Sequence, residues 1–201
     1  MTRVAAGTVP TRPPARAYEP VFVPHPGDVL RLLTALSIPA AWIVSGPLSS
    51  LVMALAAGGT WVLRYYARSR SEDLAGQAVL FLGGAFSVLG TYRTIAWLDV
   101  VVHVSMLAVL TTMLGNMLVH HGMLPAAGTR RQDSGLLLSV TALGVLFAVL
   151  WEIGEWAGHS FITPEVGVGY ADTIGDLAAG LLGSLLAAVW LHRATGPGSR
   201  P

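Results

Sequence analysis

Apolar residues along this chain gather into six long runs, at about 28–46, 48–67, 74–92, 95–119, 135–157 and 171–192. Short polar or glycine-containing breaks separate them. Each run is close to the roughly 20 apolar residues that a helix needs to cross a hydrocarbon core about 30 Å thick. The pattern predicts an all-α fold: a polytopic integral membrane helix bundle of about six transmembrane helices. In the first run Arg31 is expected to snorkel toward the interface, and Pro39 to kink the helix. Gly58-Gly59 and Gly83-Gly84 fall in the second and third runs, where small residues let helices pack closely. No internal repeat is evident.

The runs divide the chain into a Pro-rich tail (1–27), a six-helix transmembrane domain (28–193) and a second tail (194–201). The first tail holds six of the twelve prolines. It has no apolar core of signal-peptide length, so it is expected to be uncleaved and disordered.

Arginine placement predicts the orientation. With both termini in the cytoplasm, Arg3, Arg12, Arg16, Arg31, Arg64, Arg68, Arg70, Arg130, Arg131, Arg193 and Arg200 fall inside, and Arg93 alone falls outside. Aromatic anchors agree. Trp42, Tyr92, Trp97, Trp151, Trp156 and Tyr170 mark outer ends, while Trp61, Tyr65, Tyr66 and Trp190 mark inner ones. The expected location is a bacterial cytoplasmic (inner) membrane.

Composition strengthens the membrane reading. The chain is 53% hydrophobic and 11% charged, against about 25% charged in soluble domains. A net charge of +1 argues against a nucleic-acid partner. The absence of Cys excludes disulfides and thiolate metal sites.

Against that background the placement of carboxylates is unexpected. Asp99 and His103 open the fourth run, Glu152 and Glu155 close the fifth, and Asp172 and Asp176 open the sixth. In the orientation above, all six share the outer side. Each pair is spaced i,i+3 or i,i+4, which puts both side chains on one helix face. The acidic faces continue as small-residue stripes: Thr141, Gly144 and Ala148 below Glu152, then Gly180, Gly183 and Ala187 below Asp176. These faces are therefore expected to point into the bundle. A charge at the centre of a membrane helix costs about 2.5–3.5 kcal/mol on insertion scales.

Five carboxylates in one low-dielectric site need a bound cation, protonation, or pairing with His103 and Arg93. An oxygen-rich set with one imidazole suits a divalent cation (Mg, Mn, Zn or Fe). The candidate ligands are Asp99, His103, Glu152, Asp172 and Asp176, with Glu155 and His103 as candidate catalytic acid/base groups. Glu152-x-x-Glu155-x-x-x-His159 is similar to di-iron bundle spacing, without the paired Glu-x-x-His motifs of that architecture. Blander roles are open for several residues. Asp172 is a natural N-cap, Glu155 and His159 could be solvated at the interface, and His120-His121 could be merely interfacial. Asn116 suits an interhelical hydrogen bond.

The quoted motifs carry a resemblance. Asp99-Val-Val-Val-His103, Glu152-Ile-Gly-Glu155-Trp156, Tyr170-Ala-Asp172-Thr173-Ile-Gly-Asp176 and Leu182-Gly183-Ser184 together resemble the YjdF-type family of uncharacterised bacterial inner-membrane proteins. The similarity covers about 95–187, and a looser one extends to VanZ-like membrane proteins. Ser105-Met106 stands where the family tends to have Gly-Phe, and the loop "EVGVG" lacks its further Asp. The resemblance implies a shared site and no known reaction.

Three classes of function are open. One is a metal-assisted hydrolase or transferase on lipid or prenyl-phosphate substrates. Another is an accessory or assembly protein with a structural polar core, and the third is a proton-coupled carrier. Against the carrier, the sequence shows few basic counter-charges and few polar residues in the cytoplasmic half. The lipid bilayer is the expected partner, a lipid phosphate the candidate substrate, and the oligomeric state is open.

Overall fold

The computed structural model describes residues 24–125, 127–164 and 166–196, without the side chains of Arg93 and Ala96. Most of the expected tails, with Arg3, Arg12, Arg16 and Arg200, lies outside the described residues, as does Glu165. The described chain is all-α. Helices α1 (Gly27–Tyr66), α2 (Arg70–Val88), α3 (Ala96–His120), α4 (Arg130–Phe161) and α5 (Tyr170–Thr195) follow one another, with a short 3-10 turn at Thr91–Arg93. Four of them, α1, α3, α4 and α5, are long and apolar enough to cross a membrane.

Helix α1 is broken at Gly46, where φ is 85° and ψ −172°. Only glycine adopts that backbone readily, and Pro47 follows with no N–H to offer. The two halves fold back on each other. Arg31 Nε donates to the Thr60 carbonyl at 2.9 Å, and Ser50 Oγ donates to the Ile38 carbonyl at 3.2 Å. Residues 27–45 and 47–66 thus form a helical hairpin, each arm about 28–30 Å long. Pro39, the expected kink, stays within helical backbone; the break sits at Gly46-Pro47.

The run expected at 74–92 is shorter in the structure. Ser69 caps α2 by accepting from the Glu72 N–H at 3.1 Å. Arg70, Glu72 and Asp73 occupy its first turn, so the apolar part beyond Asp73 reaches only about 22 Å at 1.5 Å per residue. Helix α4 is longer than its run, because a Thr129–Gln132 capping box starts it early.

Helices α3, α4 and α5 form one tightly packed group. A Cβ on Gly180 would lie 2.8 Å from that of Ala148, and one on Gly183 would overlap the Val104 carbonyl oxygen. The α1 hairpin and α2 form the other group. The two meet through Ala56, Leu63 and Leu80 on one side and Met106, Val109, Leu110 and Met113 on the other.

Two expectations about the arginine-rich end are corrected here. Arg31 does not snorkel: it is fully buried. Its guanidinium pairs with Asp28 at 2.9 Å and with Asp73, while Asp28 also meets Arg64 Nε at 3.2 Å and Gln77 Nε2 donates to Asp73 at 3.1 Å. The second correction concerns polarity. This end holds a buried network of charged and polar groups drawn from both arms of α1 and from α2. The residues are scattered over 28–77, and only the hairpin brings them together.

Candidate metal centre

The first turn of α3 carries Asp99, and His103 follows one turn deeper on the same face. His103 Nδ1 lies 3.3 Å from Asp99 Oδ1, 3.2 Å from the Asp99 carbonyl and 3.2 Å from Asp176 Oδ1. Asp176 comes from α5 and is 4% exposed. Helix α5 reaches α3 this closely because Gly183, two turns further on, leaves room for the α3 backbone.

Helix α4 supplies the third wall. Gly144 sits against Ser184 and Thr111 with no space for a side chain, and Ala148 against Gly180. That contact carries Glu152 and Glu155, one and two turns further along, to the same place. Ligand atoms of Glu152, Glu155 and Asp176 all lie within 4.8 Å of one another, as do those of Asp99, His103 and Asp176. Asp176 belongs to both triads. Thr173 of α5 lies near Glu152, and Trp151 near Glu155.

Of the six residues singled out from the sequence, five converge: Asp99, His103, Glu152, Glu155 and Asp176. Asp172 is exposed and belongs to neither triad. Nor does it cap α5, whose N-cap is Gly169 with no side-chain bond. It sits in the first turn, where its charge complements the helix dipole. His159 is exposed and bonds the Val166 carbonyl at 2.7 Å, so it holds the α4–α5 loop. His121 meets the Tyr66 hydroxyl at 3.0 Å at the opposite end of the bundle. Asn116 makes the expected interhelical bond, to Glu72 of α2.

Tyr92 was legible in the sequence only as an interface anchor. It lies within electrostatic reach of both Asp99 and Glu155, and its hydroxyl donates to the Gly83 carbonyl at 2.8 Å. No helical spacing pointed to it, because it lies in the Thr91–Arg93 turn, outside the long helices.

A family model described as a predicted membrane protein (DUF2238) matches residues 32–196. The chain belongs to this family. All the clustered residues of this DUF2238 protein lie inside the matched stretch. No curated protein and no solved structure matches the chain. Family membership and the four long apolar helices make it a membrane protein.

The donor set fits a cation. Neighbouring ligands on one metal with bonds near 2.1 Å stand about 3.0–3.4 Å apart in octahedral or tetrahedral geometry. His103 Nδ1 is 3.3 and 3.2 Å from its two carboxylate oxygens. Those distances equally describe a protonated imidazole ion-paired with two carboxylates, so both readings start from one geometry.

Proposed function

We propose that this cluster holds a divalent cation and that the protein is a membrane-embedded, metal-assisted hydrolase or transferase acting on a lipid or prenyl phosphate. The observation that carries the reading is the convergence of five ionisable side chains from three helices on the shared Asp176. The proposed ligands are Asp99, His103, Glu152 and Asp176. A cation bound there supplies Lewis-acid polarisation of a phosphoryl oxygen and a more acidic water. Glu155 would accept a proton from an attacking group and return it to the leaving oxygen, and His103 would take the acid role only where it is not a ligand. The resemblance of residues 95–187 to YjdF-type proteins belongs with this reading, because its motifs are the ones that converge.

In the same reading each arm of α1 crosses the membrane once and α2 crosses with its flanking turn, giving six crossings of a bacterial inner membrane. Both termini are cytoplasmic and the cluster faces outward. Reporter fusions at 67–73 and 125–133 should report cytoplasm, and fusions at 160–168 the outside. An inside signal from 160–168 would overturn the orientation.

Metal content of the detergent-purified protein tests the site. Wild type should carry near-stoichiometric divalent metal, and chelator should lower its melting temperature, since a ligand bound to the folded state stabilises it. Glu152→Gln and Asp176→Asn should bind less metal and respond little to chelator; His103→Ala should behave like them.

A second reading has an observation of its own: His103 Nδ1 already has carboxylate partners on two helices. A polar core of that kind suits an accessory or assembly protein. It predicts no stoichiometric metal and amide variants as stable as wild type, because an amide keeps the shape and much of the hydrogen bonding. The carrier gains basic counter-charges from the Arg31 network. Between that network and the His103 cluster, however, α2 and α3 present the apolar Leu80, Met106, Leu110 and Met113.

A further inference from the structure

The two helix groups share one internal plan. In the first, the opening arm of α1 (27–45) runs parallel to α2. Arg31 meets Asp73 near one end, and Ser45 Oγ donates to the Val88 carbonyl at the other. The return arm (47–66) runs antiparallel to α2, with Met53 against Gly84 and Leu63 against Gly76. In the second group α3 runs parallel to α5, with His103 at Asp176 and Gly115 at Leu191. Helix α4 runs antiparallel to α5, with Ala148 at Gly180 and Asp133 at His192.

Each group carries its polar cluster where its first helix begins. In both, a basic side chain on that helix joins two carboxylates, one a turn earlier and one from the third helix. Arg31 pairs with Asp28 at 2.9 Å and with Asp73. His103 stands 3.3 Å from Asp99 and 3.2 Å from Asp176. The end of the second helix completes each cluster. It brings Arg64 to 3.2 Å from Asp28 in one group, and Glu152 and Glu155 to Asp176 in the other. The clusters lie at opposite ends: from His103 to Asn116, which bonds Glu72 beside Asp73, α3 rises about 20 Å. Asp28-x-x-Arg31 and Asp99-x-x-x-His103 differ in spacing and residue type, so the correspondence is silent in the sequence.

The charges of the two clusters differ. In the first, two carboxylates face two guanidiniums. In the second, four carboxylates face one imidazole among the described side chains. Arginine is always charged, so the first cluster is compensated by its own chain. We infer that the chain is an inverted repeat of two three-helix units, and that in the second unit a divalent cation from solution takes the place that Arg64 fills in the first. The second clause rests on the metal reading above. Inverted-topology repeats recur in membrane bundles. The Arg31 cluster is then a permanently closed copy of the His103 site, and one substitution should close the second in the same way.

The test returns the missing cation. Glu152→Arg removes a proposed ligand and places a guanidinium within electrostatic reach of Asp99, as Arg64 stands to Asp28. The full chain in detergent is compared with Glu152→Gln in Mn²⁺, in Zn²⁺ and in chelator. Wild type should bind one of these metals near-stoichiometrically and melt lower in chelator. Glu152→Arg should bind more than about tenfold more weakly, since loss of even an outer partner costs about 10–100-fold. In chelator it should melt above both wild type and Glu152→Gln, and adding Asp99→Asn should remove that advantage. Glu155→Arg, set against Glu155→Gln, is the second placement if Glu152→Arg does not fold. Where wild type binds metal, the repeat is overturned if both arginine variants fail to fold, melt no higher in chelator than their glutamine counterparts, or bind metal as wild type does. An advantage that survives Asp99→Asn overturns it too. Each of these outcomes leaves the metal reading standing. Wild type that binds neither metal removes the metal reading and the inference together.

Discussion

Gly183→Ala should cost the protein about 3 kcal/mol of stability, at the upper end of the usual overpacking range of 1–3 kcal/mol. The added Cβ would fall on the Val104 carbonyl oxygen and 3.0 Å from the Ala108 nitrogen. Both are backbone atoms of α3, so no side chain can swing aside and the helices themselves must separate. Gly183→Leu should not yield a folded protein. Gly58 supplies the control: nothing lies within 4 Å of a Cβ there. Gly58→Ala should be neutral or slightly stabilising, because alanine favours helix by about 1 kcal/mol over glycine. Thermal unfolding in detergent, followed by monodisperse elution, reads the difference. Equal melting of the two alanine variants would refute the close α3–α5 approach. The same approach sets the 3.2 Å between His103 and Asp176, so Gly183→Ala should also lose whatever the cluster binds.

Arg31→Met should be comparably damaging, for electrostatic reasons. Removing one partner of a buried ion pair typically costs about 3–5 kcal/mol, because the remaining charge is left buried and unpaired. Here two carboxylates, Asp28 and Asp73, lose their shared guanidinium, and the Thr60 carbonyl loses its donor. Arg64 compensates Asp28 in part; among the described residues the Asp73 side chain keeps the Gln77 amide. Introducing Asp73→Asn into Arg31→Met should therefore recover part of the lost stability, giving a positive coupling in a double-mutant cycle. Arg31→Lys should fall between, since a point charge on a flexible stem cannot span three acceptors as the planar fork does. A melting temperature unchanged in Arg31→Met would show that the network is not formed.

Much of the second half of the chain was legible in advance. Helices α3, α4 and α5 fall where the apolar runs placed them, because runs of that length have one low-cost conformation in lipid, with every backbone group bonded internally. The convergence of Glu152 and Glu155 with Asp176 could be read from helical spacing plus the glycine and alanine stripes beneath them. Those stripes say which face a neighbour approaches, and spacing says which side chains share that face. Asp172 shows the limit. It lies one turn from Asp176 on the same nominal face, yet a first-turn position at the rim leaves it exposed while its neighbour is buried.

What the sequence by itself determined is the class of protein, the extent of its long helices, and the small-residue faces that bring carboxylates and an imidazole to one end of the bundle. These follow from local periodicity and from the cost of exposed backbone and charge in hydrocarbon. What only the tertiary structure decided depends on contacts between residues distant along the chain. The break at Gly46 falls between two of the expected runs, 28–46 and 48–67. Only the packing of the two arms and α2 converts Arg31 from an expected interfacial charge into the centre of a buried network with Thr60 and Asp73. The Thr91–Arg93 turn sets Tyr92 against α2, where its hydroxyl donates to the Gly83 carbonyl. The pairing of α2 with α3 joins Glu72 to Asn116, 44 positions apart. Helix period carries no information about which helix a face will meet, and packing alone supplies it.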